Sequence, residues 1–115
     1  MPLIVNIALG SVWYELNGFE DDPEEDRPAV KLKQLRGDQL DQVMENSSAS
    51  GDLSAKGVQS ALRQGLEDWK NIIDENGNPI ECKFTNHGKL PYTQRNEIAV
   101  EIVNRSQITG AEQKN

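Results

Sequence analysis

Few backbone conformations suit Asn76-Gly77 when it stands between the apolar pair Ile72-Ile73 and the alternating run Ile80 to Phe84. Both residues tolerate positive φ, and such a dipeptide between two apolar runs is the strongest short-range hairpin signal. Pro79 fits the first residue of a strand or an edge position, because it has no N–H to give to a ladder. In Ile80-Glu81-Cys82-Lys83-Phe84, alternation places Ile80, Cys82 and Phe84 on one face and Glu81 and Lys83 on the other. A hairpin over residues 71–84 is therefore expected, with Trp69 anchoring it to the helical pattern that precedes it.

Upstream, Leu53, Val58, Ala61, Leu62, Leu66 and Trp69 share one helical stripe, which predicts a helix over 53–69. Gly57 and Gly65 each weaken it by about 1 kcal/mol relative to Ala, so close packing is the better reason for them. Gly65 is expected to let the hairpin lie against the helix. A second helix, 38–46, carries Leu40, Val43 and Met44 on one face, with Asp38 as its N-cap. A third, 91–105, opens on Pro91 in the first helical position and buries Ile98, Ala99, Ile102 and Val103. Thr85 to Leu90 between hairpin and helix reads as a loop, and Gln107 to Asn115 as a loose tail.

The N-terminal third reads as strands. Val5, Ile7 and Leu9 alternate with other residues, and the pattern resumes after Gly10-Ser11 in Val12, Tyr14 and Leu16. Two strands around Gly10, or one strand bulged there, satisfy this equally. Asn17-Gly18 marks a turn, and Val30 and Leu32 against Lys31 and Lys33 mark a short amphipathic strand. Ser47 to Gly51 is a flexible joint too short to separate domains. At 115 residues the chain forms one domain of α+β class. The expected architecture is a small antiparallel sheet, made of the N-terminal strands and the 71–84 hairpin, packed on two to three helices.

Charge narrows the partners. The net charge of −7 argues against nucleic acid and anionic membrane surfaces, which require clustered Lys and Arg. No 18-residue apolar run exists for a transmembrane helix. Met1 to Gly10 lacks the basic start of a signal peptide. A lone cysteine excludes an internal disulfide and fits a reducing compartment. Only 36% of the residues are apolar, so the core is thin and a partner or second copy is expected to complete it.

Cys82 faces the same side as Ile80 and Phe84, so it reads as a small buried hydrophobe rather than a nucleophile. His87, beside Gly88, reads as an exposed loop residue. Asp74, Asn76 and Asn78 suggest a cation loop, but glycine falls at its fourth position instead of its sixth, and Thr85 stands where a glutamate is required. The acidic loop 20–28 holds six carboxylates between Glu20 and Asp26. It reads as a mobile solvated loop rather than a cation site or a docking surface for a basic partner. No nucleotide-binding glycine motif or nucleophile elbow is present, so no catalytic residue, metal ligand or cofactor is expected.

Three pieces carry a resemblance: VKLKQLRGDQL (Val30 to Leu40), GLEDWKNIIDENGNPIECKF (Gly65 to Phe84) and EIVNRSQITGAEQKN (Glu101 to Asn115). Together they resemble small proteins of the structural-gene clusters of tailed bacteriophages and prophages. The strand-plus-turn opening is similar to that of tail assembly chaperones. The resemblance leaves out the acidic block Glu20 to Asp26 and the segment Leu3 to Leu16. It implies a non-enzymatic role in morphogenesis, in the host cytoplasm during assembly or in the virion. As a tail assembly chaperone-like factor, the chain would bind tail-tube or tape-measure protein through its helix stripes, at Leu62, Leu66, Trp69, Ile98 and Ile102. As a virion component, it would be a capsid decoration protein or a head–tail element, completed by neighbours in a homo-oligomer or array. A third role, an acidic host-directed factor, rests on the carboxylate block alone.

Overall fold

A computed structural model describes residues 11–45 and 53–112, with residues 108–112 described by backbone alone. The strand expected over Leu3 to Leu9, the joint Ser47 to Gly51 and the final three residues lie outside these bounds. The fold is α+β. Among the described residues, three antiparallel strands, β1 (Ser11–Glu15), β2 (Ala29–Lys33) and β3 (Leu66–Lys70), pair in the order β1-β2-β3. Four helices accompany them there: α1 (Gly37–Met44), α2 (Ala55–Gly65), α3 (Phe84–His87) and α4 (Tyr92–Glu112).

The central strand follows its alternation. Val30 and Leu32 are buried, and Lys31 and Lys33 are partly exposed on the other face. Tyr14 opposite Val30 and Val12 opposite Leu32 set the register of β1. The link from β1 to β2 turns at Gly18, whose φ is +97°. The acidic block that follows is exposed but held, against the expectation of a mobile loop. Arg27 folds back to donate to the carbonyls of Asp22 and Glu20, both at 3.0 Å. Asn71 Nδ2 donates to the carbonyls of Glu25 and Arg27, both at 2.8 Å. A 3-10 turn over Glu24–Asp26 completes it.

The third strand is β3 rather than the expected hairpin. The helix expected over 53–69 spans Ala55–Gly65, capped by Ser54 Oγ accepting from the Gly57 N–H at 3.1 Å. It stops at Gly65, and the chain runs straight into β3. Leu32 faces Leu66 while Lys31 faces Asp68, so Glu67 is an extra residue that bulges β3. The bulge turns both Leu66 and Trp69 into the core, three residues apart. That is helical spacing, and it concealed a strand.

The 71–84 segment does turn back on itself. Gly77, at φ +83°, donates to the Asp74 carbonyl, and Asp74 Oδ1 accepts from the N–H groups of Asn76 and Asn78. Beyond it lie a single bridge, Ile73 with Pro79, and one bond from Ile80 N–H to the Ile72 carbonyl. This ribbon stays outside the main sheet and is fastened to it by Trp69 Nε1 donating to the Ile80 carbonyl at 2.6 Å.

Two helix starts also differ from expectation. Arg36, not Asp38, is the N-cap of α1; its N–H is taken by Gln39 Oε1 at 3.0 Å, and its guanidinium pairs with Asp38 at 3.1 Å. Pro91 precedes α4 and accepts from the Arg95 N–H, which places it just before the first turn. The helix then continues to Glu112, through most of the expected tail. Helices α2 and α4 pack on one another over the sheet, around Val30, Leu32, Leu62, Ile98 and Ile102. Gly65 makes that approach possible: a Cβ there would lie 2.8 Å from Ile102 Cγ2. Its close neighbour is thus α4 instead of the hairpin.

Candidate functional site

The residues expected to meet a partner are core residues. Leu62, Leu66, Trp69, Ile98 and Ile102 are all buried, packed among Val30, Leu32, Val58 and Ala61. A chain with few apolar residues uses its entire helical stripe internally, so none of these five is open to docking in this fold.

The two reactive side chains divide differently. Cys82 is half-buried against the core beside Ile80, as expected. Burial, with the negative charge of Asp68 adding to it, pushes the thiol up to about 11, so the nucleophilic thiolate is suppressed. Phe84, expected on the same face, is instead 42% exposed. The reason is α3, which replaces the expected loop: Asn86 N–H bonds the Lys83 carbonyl, and Asn86 Nδ2 bonds that of Glu81. The same turn carries His87 inward, against the expectation of an exposed residue. His87 is 7% exposed, with its ring centroid 6.1 Å from that of Trp69 and 5.8 Å from that of Phe84. Its Nδ1 is buried without a hydrogen-bond partner, and burial lowers its affinity for a proton.

Polar contacts elsewhere tie elements together. Tyr14 donates to Glu97 Oε2 at 2.7 Å, and the same oxygen accepts from the Asn17 N–H at 2.9 Å. Burial foremost, then the hydrogen bond and charge of Glu97, holds the Tyr14 hydroxyl protonated far above its ordinary range. Leu35 N–H donates to Ser106 Oγ, which donates in turn to the Ile102 carbonyl, joining the end of β2 to α4. Among the described residues, no three His, Cys, Asp or Glu side chains group to hold a metal ion. None of the described helices is long and apolar enough to cross a membrane.

Two surfaces with exposed apolar side chains are prominent among the described residues. The first is a groove of about 460 Å³ along α4, walled by Met44, Leu53, Tyr92, Val100 and Val103, with Asn96, Asn104 and Gln107 along its length. Tyr92 is 55% and Val100 41% exposed, and they follow one another at helical spacing. The second is the outer strand β1, whose far edge is unpaired among the described residues. It carries Trp13, 46% exposed, with Lys70 Nζ 5.0 Å from its ring centroid. The sequence pointed to Leu3 to Leu16 as a segment able to add a strand to a neighbouring subunit's sheet, whereas the groove was not foreseen, since Val100 lies off the main α4 stripe. No family model, curated protein or solved structure matches this chain.

Proposed function

We propose that the protein is a non-enzymatic morphogenesis factor of tailed bacteriophages, acting like a tail assembly chaperone by docking an apolar segment of another phage structural protein. The observation that carries this reading is the α4 groove, where Met44, Leu53, Tyr92, Val100 and Val103 offer apolar walls and three amide side chains supply polar points. Side chains recurring along an apolar helix dock into a groove of this form. A net charge of −7 keeps such a binder soluble and opposes its self-association. The test is Val100→Asp, at an exposed position, in an infected or induced host. Particle yield should fall at least tenfold while the purified variant melts with the native protein. Unchanged yield would remove the groove from the function.

A second reading, a virion component within a homo-oligomer or array, is favoured by β1. An edge that is unpaired among the described residues, beside a half-exposed tryptophan, suits strand addition by a neighbouring chain. Mass spectrometry of purified particles separates the two readings. Many copies per particle support the structural component, and absence from the particle supports the assembly factor.

A further inference from the structure

We propose that the recess between the first turn of α2, the α3 turn and the first turn of α4 is a binding site for a small oxyanion, phosphate or a phosphate monoester. The recess has a volume of about 230 Å³, and Ala55, Lys56, Gln59, Phe84, His87 and Arg95 contribute to its walls. This inference is independent of the docking reading, because none of these residues lines the α4 groove.

Four observations converge on the recess. The charged side chains of its walls are Lys56 and Arg95, with no Asp or Glu among them, in a molecule of net charge −7. The recess is thus a basic spot on an acidic protein. The first turn of α2 contributes Ala55 and Lys56 to its walls, and the start of α4 contributes Arg95. Two nitrogens belonging to its walls are buried with no hydrogen-bond partner, His87 Nδ1 and Arg95 Nε. Such groups are costly to leave unmade; Arg95 Nε is a donor, and His87 donates from Nδ1 in one of its two neutral tautomers, so a bound acceptor beside these side chains offsets that cost. At the rim, the Arg63 guanidinium is already ordered 4.4 Å over the Phe84 ring. A tetrahedral oxyanion has enough acceptor oxygens for Lys56, Arg95 and the imidazole together, and charge-assisted bonds of this kind are the strong ones.

His87 is the only histidine, so its imidazole gives a single set of NMR resonances that reports on the recess. The experiment titrates inorganic phosphate into labelled protein at constant pH, beside sodium chloride at matched ionic strength. The expected result is a saturable shift of the His87 signals with phosphate and none with chloride. Lys56→Ala and Lys56→Ala/Arg95→Gln should weaken that binding at least tenfold. The single variant changes only an exposed side chain, so it keeps the test valid if the double variant fails to fold. Parallel titrations with phosphoserine and a mononucleotide distinguish a monoester from free phosphate, the tighter ligand naming the source. A drift equal in phosphate and chloride, or saturation undiminished in the Lys56→Ala protein, overturns the proposal.

Discussion

The Trp69 indole lies in the core, next to the His87 ring, and its Nε1 holds the Ile80 carbonyl at 2.6 Å. One side chain thus fills core volume and fastens the turn region to the sheet. Trp69→Ala should cost about 3–5 kcal/mol, the range for a deleted buried aromatic, read as a lowered denaturant midpoint. A midpoint that hardly moves would show that the indole adds little to the core. Cys82 offers a second check at this scale. With the thiol pushed from 9.0 to about 11, the thiolate at pH 8 is roughly a hundredfold scarcer than for an unperturbed thiol. The more basic thiolate is the better nucleophile, which offsets part of that loss, so its reaction with a disulfide reagent should be slowed roughly tenfold in the folded protein and recover on denaturation. Equal rates in the two states would mean that the side chain is not shielded as described.

At the scale of elements, the packing of α2 on α4 turns on Gly65. A Cβ there meets Ile102 Cγ2 at 2.8 Å and Cδ1 at 2.9 Å, and Ile102 is fully buried. Gly65→Ala gains about 1 kcal/mol of helix propensity but overpacks the junction, at a cost typically of about 1–3 kcal/mol. The expected outcome is a lower melting temperature, measured by circular dichroism. A higher one would mean that α4 shifts freely. Gly57 marks a second close approach, since its Cβ would come within 3.1 Å of the Val43 carbonyl in α1. Both glycines that weaken α2 as a helix therefore allow its neighbours to come near.

For the whole molecule, charge is unevenly distributed, and pH acts on it in separable windows. Burial lowers the His87 pKa below its ordinary 6.5. On acidification the unfolded chain therefore takes up the proton first. The stability tied to a neutral His87 is complete above about pH 6.5 and declines as pH falls through that value toward the folded one. Glu20 and Asp38 are both held low, Glu20 chiefly by backbone hydrogen bonds and Asp38 chiefly by its hydrogen bond with Arg36. Their contribution is present above the ordinary carboxylate range and is lost only at more acid pH. Urea midpoints should therefore fall between pH 7 and 5.5 in the native protein and stay flatter in His87→Gln. Parallel slopes for the two proteins would assign the fall to other groups.

Local rules settled what depended on near neighbours alone. The β2 alternation, the turn at Gly77, the buried α4 stripe and the α+β class were all legible in residue order, because each shows in residues only a few positions apart. Long-range pairing decided the rest. Leu62, Leu66 and Trp69 keep helical spacing, yet β2 offered Leu66 to Lys70 a ladder, and the bulge at Glu67 reconciled that spacing with a strand. His87 and Phe84 exchanged their expected places because α3 packs beside Trp69, a contact no local pattern encodes. The basic recess stayed hidden for the same reason. Summing charges along a chain yields a net acid, whereas folding brings Lys56 to His87 and Arg95, some thirty residues or more further along, around one cavity.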